Sequence, residues 1–428
     1  MRATRARRTA RRLLLAAALG ILPVDRASAE AEPKTLTRTH DPIVLRTDAV
    51  AALPSRRTAD LRLYRLEAGQ AVAMPFQVDA RNARGELQID DAGARFDADD
   101  ELVFMAVDSG DRAAGAPFPA GCGTGVEIEV RDPLTGGRGW AYLLHCPGGD
   151  APAAAPYVTY DRATRRARSA AYDVEYADGH NYFTGMRLGT AGGQRPNLLR
   201  QTRMRGVPVL SLLVTDLQLE FTEQNAIAVV EGVRNGPVRA VRRVKLSVDL
   251  GPMFPELPNG TAYTYHYPTM YLTPTRFGIP WLALRTLRSF SFEAVADFAP
   301  AALPLRYWDG ANPAGVTLTD GAPPPLVTDV DHDWWAQSGA AGSMLNAFVI
   351  PAEWREWGIA RGTVVRQGVA AGVAAGYSLL NMTKLRRAGD YDMLQAAVVL
   401  PRPYEPGDEA APMAMLTAPL QTSVRAWP

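Results

Sequence analysis

The sequence predicts an all-β protein, a large antiparallel β-sandwich with a smaller β-domain at its N-terminal end. Three observations predict it. Short runs of alternating apolar and polar residues recur along the chain, each closed by Gly, Pro, Asn or Asp. No period of 20 to 50 residues repeats. After the N-terminal segment, no window reaches the roughly 18 apolar residues that a membrane helix needs.

The N-terminal segment reads as a secretory leader. Arg2, Arg5, Arg7, Arg8, Arg11 and Arg12 form a basic head, Leu13 to Val24 an apolar run of 12 residues, and Ala27-Ser28-Ala29 a small-residue cleavage site. The reading places cleavage before Glu30 and the mature chain in the periplasm or outside the cell. The run is too short for a permanent anchor, so no membrane span is expected in the mature chain. The leader takes seven Arg and one Asp from 46 basic and 45 acidic residues, which leaves 39 against 44. No basic stripe survives, and nucleic acid is not an expected partner.

Residues 30–150 read as the first β-domain. They hold the runs Pro-Ile-Val-Leu, Leu-Arg-Leu-Tyr-Arg-Leu, Met-Pro-Phe-Gln-Val-Asp and Glu-Leu-Val-Phe-Met-Ala-Val. Cys122 and Cys146, the only cysteines, flank two strand-like runs, Gly125–Val130 and Trp140–His145. Folding this hairpin about residue 134 sets the cysteines opposite each other and predicts a disulfide, which an oxidising compartment permits. A Pro- and Ala-rich connection follows at 148–156, and 157–428 reads as the large sandwich. Asn235-Gly236 marks a hairpin there. Val238, Ala240, Val244, Leu246, Val248 and Leu250 share the face of the strand that follows, and Arg242 interrupts it. Gly368, Gly372 and Gly376 suggest tightly packed strands. Short helices are expected only at 280–287 and 352–357.

Three constellations could carry chemistry. Carboxylates crowd the ends of the strand Leu102–Val107, with Asp97 and Asp99 before it, and calcium takes such oxygen ligands. The same residues also build solvated turns. Asp329, Asp331 and Asp333 precede Trp334 and Trp335. They open like a calcium loop but lack its Gly and Glu positions, and with the two Trp they could line a sugar site. Third, Tyr263, Tyr265, Tyr267 and Tyr271 are expected along one face of Thr261–Leu272, with His266 on the other and Arg276 just beyond. Tyr rings suit stacking on sugars, and a cross-strand Tyr ladder explains the spacing equally. Catalytic candidates are His266, Tyr267, Arg242 and Arg276; binding candidates are Tyr263, Tyr265, Tyr271, Trp334 and Trp335. Arg242 is expected either to line a ligand groove or to be flipped to solvent by a bulge near Val241. No Gly-x-Ser-x-Gly or His-x-x-x-His pattern occurs.

Two passages resemble a known superfamily. Val229-Val230-Glu231-Gly232-Val233-Arg234-Asn235-Gly236-Pro237-Val238-Arg239-Ala240 resembles a strand pair of the galactose-mutarotase-like supersandwich, which includes β-domains of polysaccharide lyases. Pro75-Phe76-Gln77-Val78-Asp79 and Asp99-Asp100-Glu101-Leu102-Val103-Phe104 look like the N-terminal part of secreted bacterial proteins of that type. The resemblance implies a supersandwich-like fold and a glycan ligand, and it brings over no active-site residue. The expected function is carbohydrate binding or processing, with lyase- or epimerase-like activity as one form. The alternative is a non-enzymatic envelope accessory or assembly protein with a protein partner.

Overall fold

The computed structural model describes residues 31–427, apart from 47–49, 51–52, 54–55, 90–94, 98, 116, 149–154, 190–194, 212–214, 250–259, 280, 321–323 and 369–371. The segment expected to be a leader, 1–29, and most of the 148–156 connection lie outside the described residues. The architecture is all-β, and the paired strands run antiparallel.

Two sheets make the large sandwich. A ten-stranded sheet is centred on the long strands Leu199–Ser211 and Leu287–Phe298. A nine-stranded sheet runs from Ala226–Asn235 through Ala240–Val248, Gly260–His266, Met270–Ile279 and Gly389–Leu400 to Val316–Leu318 at its far edge. Period-two patterning makes these strands two-faced: Tyr172, Val174 and Tyr176 are buried and alternate with half-buried Asp173 and Glu175. Inward side chains of both sheets form one core. Val174, Met186, Leu199, Phe298 and Tyr377 come from the first sheet, and Tyr271, Tyr307, Trp335, Met344 and Phe348 from the second. Gly376 permits the close strand packing expected there, because a Cβ would lie 2.1 Å from the Ala294 carbonyl oxygen.

The N-terminal strands build a second, smaller layer pair. A three-stranded sheet of Pro42–Arg46, Glu101–Met105 and Gln77–Asp79 shares a core with a five-stranded sheet. The hairpin Gly125–Arg131/Arg138–His145 belongs to that five-stranded sheet, and the Cys122–Cys146 disulfide closes its open end. The chain's last strand, Gln421–Trp427, returns to pair with Gly125–Arg131 rather than with the strands of the large sandwich that precede it. Its alternation is too polar to assign it to either sheet from sequence.

Short helices at Trp281–Thr286 and Ala352–Glu356 match the expected positions, and a third at Ala410–Thr417 was not foreseen. Among the described residues no helix is long and apolar enough to cross a membrane.

Candidate functional site

The tyrosine stripe is not one face. The strand ends at His266 and the chain reverses before Met270, so Tyr271 belongs to the next strand, opposite His266. Tyr271 therefore points into the core with His266, while Tyr263, Tyr265 and Tyr267 occupy the other face. There Tyr263 and Tyr265 stack at 5.9 Å, and Arg239 lies 4.7 Å from the Tyr265 ring centre. Tyr267 is buried against Val103 and Met105 of the three-stranded sheet, where it accepts a hydrogen bond from Arg239 Nη1 at 2.9 Å. Tyr267 thus belongs to the packing between the two layer pairs and not to an open site.

His266 is 0% exposed, ringed by Tyr160, Tyr172, Tyr176 and Tyr271. Its tautomer follows from its neighbours. The Tyr172 hydroxyl donates to the carbonyls of Tyr267 (2.9 Å) and Met270 (3.1 Å), so its oxygen accepts from His266 Nδ1. Nε2 is then bare and accepts from the Tyr176 hydroxyl at 2.9 Å. Burial, with the Arg242 cation adding to it, pushes the imidazole down to about 3.

Arg242 lies on the same inner face, paired with Thr264 across the strands. Neither expected outcome occurs. The bulge sits in the neighbouring strand, between Val230 and Gly232, and Arg242 stays inside. It is 2% exposed, and among the described residues no carboxylate pairs with it. Its guanidinium stacks 4.0 Å from the Tyr176 ring centre, donates to Asn181 Oδ1, and donates to the His180 carbonyl at 3.3 Å. An aromatic face and two neutral acceptors make the burial tolerable.

The other candidates do not converge on this cluster. Arg276 is exposed and held by Asp392 in a two-pronged pair at 2.7 Å. Trp335 points inward beside Tyr377, whereas Trp334 points outward beside Tyr404, because successive residues of a strand face opposite ways.

The carboxylates have other partners. Asp331 pairs with the buried Arg361 at 3.0 Å, and Asp333 pairs with Arg361 and Arg355; Asp329 is exposed. Asp97 accepts from the Asp99 amide, and Asp100 from the Asp97 amide at 3.0 Å, which is the turn reading. Among the described residues no three carboxylate, His or Cys groups come together in a way that could hold a metal ion.

Sequence reasoning missed an ion cluster where the two layer pairs meet. Asp79 is fully buried between Arg234 (2.7 Å) and Arg239 (2.6 Å), and Glu101 bridges Arg239 (3.1 Å) and Arg81 (2.6 Å). Gln77 accepts from the amides of Val238 and Arg239, and a Cβ on Gly236 would lie 2.2 Å from Gln77 Oε1. The two passages that carry the superfamily resemblance therefore meet in space. The signal was available as a buried-type run containing an uncompensated Asp and a Gly-Pro-Val-Arg loop, but pairing them requires the fold.

One surface remains on the inner faces. Beyond the core, rings continue outward in steps of 6.3 to 6.4 Å through Tyr377, Phe292, Phe290 and Phe221, the last three half-buried. Phe292 pairs with Leu379 and so shares the core-facing side. On the opposing sheet, Thr273 pairs with Gln395, and Gln395 with the core residue Phe348. Thr273, Thr275 and Gln395 are likewise half-buried. The inner face of one sheet thus carries flat aromatic rings, and that of the other carries neutral hydrogen-bonding groups. The helix Trp281–Thr286, with Trp281 62% and Leu282 57% exposed, follows the strand that carries Thr273 and Thr275.

No family model matches the chain, and no curated protein matches it. Among solved structures, the chain is similar to a protein in glycosyl hydrolase family 38 from Enterococcus faecalis, with a TM-score of 0.43, 11% identity, and coverage of 93% of this chain and 47% of that one. It is similar to an alpha-mannosidase from Enterococcus faecalis V583 with a TM-score of 0.43, 10% identity, and coverage of 93% and 46%. The chain spans about half the length of each.

Proposed function

We propose that this is an exported carbohydrate-binding β-sandwich protein that binds through the half-buried strip between its two large sheets. The observations behind the reading are the half-buried Phe290 and Phe292 on the inner face of one sheet and the half-buried Thr273, Thr275 and Gln395 on the inner face of the other: ring faces to stack on a sugar, and uncharged groups to meet its hydroxyls. Binding, rather than chemistry, fits the catalytic candidates. His266, Tyr267 and Arg242 are buried, and Arg276 is held by Asp392.

The test is a panel of soluble neutral glycans scored by thermal shift, since a ligand of the native state raises Tm. A glycan that raises Tm of the wild type but not of Phe292→Ala or Gln395→Ala supports the reading. A panel with no shift, or equal shifts in the variants, overturns it.

The exposed Trp281 and Leu282 favour a second reading, an accessory protein whose helix Trp281–Thr286 meets an envelope protein. Double substitution W281S/L282S that abolishes co-purification of one envelope partner while leaving glycan shifts unchanged would separate the two.

A further inference from the structure

The small layer pair holds a cleft of about 450 Å³ whose lining includes none of the residues of the proposed strip. Three segments wall it. Ala68 and Gly69, both with positive φ, turn the strand Leu61–Glu67 back onto Gln70–Ala73, and Gly69 faces the cleft. The segment at 31–34 is held beside that turn: the Arg112 amide donates to the Glu32 carbonyl at 2.8 Å, and the Lys34 amide donates to Asp111 Oδ1 at 2.8 Å. The third wall begins at Asp111, whose amide donates to the Leu66 carbonyl at 2.9 Å, and continues to Gly115 and Pro117. Backbone bonds thus fix all three walls in place.

The polar groups of the cleft are short of partners. Arg112 has five N–H donors, and among the described residues its guanidinium makes no hydrogen bond. Its buried Nε lies 3.6 Å from Glu127 Oε1, and its Nη1 lies 3.9 Å from Glu32 Oε2, both beyond hydrogen-bond reach. Glu127 is served elsewhere, by Arg425 and the Tyr142 hydroxyl. The Glu32 carboxylate accepts no hydrogen bond among the described residues, and its other cation, Arg138, is 3.8 Å away. Unmade donors and unmade acceptors therefore stand side by side at one opening, between the apolar walls of Pro33, Leu66 and Pro117.

We propose that this cleft is a binding site for a neutral polyhydroxylated molecule, of the size of one or two sugar rings. The charge balance selects it. Glu32 and Asp111 are offset by Arg112 and Arg138, so an anion that gains Arg112 meets two carboxylates, and a cation that gains the carboxylates meets two guanidiniums. A hydroxyl accepts from Arg112 and donates to Glu32 at the same time, and brings no charge to either. Water meets the same groups one molecule at a time. A ligand with adjacent hydroxyls replaces several waters at once and covers the apolar walls with its C–H groups. The volume suits a small ligand, and no aromatic ring lines the cleft, so recognition here rests on hydrogen bonds where the strip relies on ring stacking.

The site is independent of the strip, and the test keeps the two apart. Binding to the full chain is followed by saturation-transfer NMR in the Phe292→Ala background, with glucose, galactose, mannose and xylitol as neutral probes, and citrate and putrescine as charged ones. Gly115 lines the cleft, and a Cβ there meets nothing within 4 Å, so Gly115→Phe fills the opening without disturbing its neighbours. At least one neutral probe should bind, and Gly115→Phe should abolish its signal. Arg112→Ala should weaken the same probe on the order of tenfold or more, the loss expected for hydrogen bonds to a charged group. Thermal unfolding identifies a variant that fails to fold, and the other variant then decides. No neutral probe bound, binding of the charged probes alone, binding that survives Gly115→Phe, or unchanged affinity in Arg112→Ala overturns the proposal. None of these results bears on the strip, which Phe292→Ala has already silenced.

Discussion

Acidification should destabilise this protein in part through His266. Its imidazole is held down to about 3 by burial and by Arg242, against an ordinary value near 6.5. Because the folded pKa of this base is lowered, the unfolded chain takes up a proton that the folded chain refuses. The contribution is therefore fully present above 6.5 and is lost as pH falls through the window down to about 3. Each unit of that window amounts to about 1.4 kcal/mol, so by pH 4 the loss should reach roughly 3 kcal/mol. That is a large part of the stability of an ordinary domain.

The assay is guanidinium unfolding at pH 7, 6, 5 and 4 for wild type and His266→Gln. Gln cannot titrate, and its side chain can still accept from the Tyr176 hydroxyl. It should be less stable at pH 7 because the Nδ1 bond to Tyr172 is gone, but its profile should be flatter by roughly 3 kcal/mol over the range. Carboxylates titrating elsewhere affect both proteins alike, so the difference isolates His266. Parallel profiles would refute the reasoning and mean that the ring is reached by solvent or by a proton in the folded state.

Further outcomes follow from the same geometry. Reducing the Cys122–Cys146 bond, which spans 24 residues of sequence, should lower stability by on the order of 3 kcal/mol, read as a shift in the denaturant midpoint with and without reductant. Asp79→Ala leaves Arg234 and Arg239 facing each other without their shared carboxylate, and should cost about 3–5 kcal/mol in chemical denaturation. Arg276→Ala, which breaks an exposed pair with Asp392, should change stability by less than about 1 kcal/mol and leave any glycan shift intact.

The strand content was legible because period-two patterning is local: Tyr172-Asp173-Val174-Glu175-Tyr176 declares its two faces without reference to the rest of the chain. The disulfide was legible for the same reason, since a hairpin brings its own ends together. What sequence hid was long range. Gln421–Trp427 pairs with a strand some 290 positions earlier, and nothing in its composition points there. Asn235-Gly236 was read as a hairpin and the flanking strands do pair there, but Gly236 is also needed because Gln77, from the other layer pair, sits where its Cβ would be.

The candidate site shows a sharper limit. Alternation along 261–272 assumed one unbroken strand, and the reversal between His266 and Met270 sends Tyr271 to the opposite side from Tyr263 and Tyr265. Arg242 was identified as an anomaly on an apolar face, and the structure keeps it there. The two outcomes expected for it both assumed that a buried guanidinium needs a carboxylate or water. Tyr176 offers a third solution, a ring face 4.0 Å away, and comes from the other sheet. The same arginine then lowers the His266 proton affinity and helps keep the ring neutral. A residue that sequence reading proposed for ligand contact thus acts on the core's own titration, which is why the pH profile of His266, rather than glycan binding by Arg242, is the measurement that tests its role.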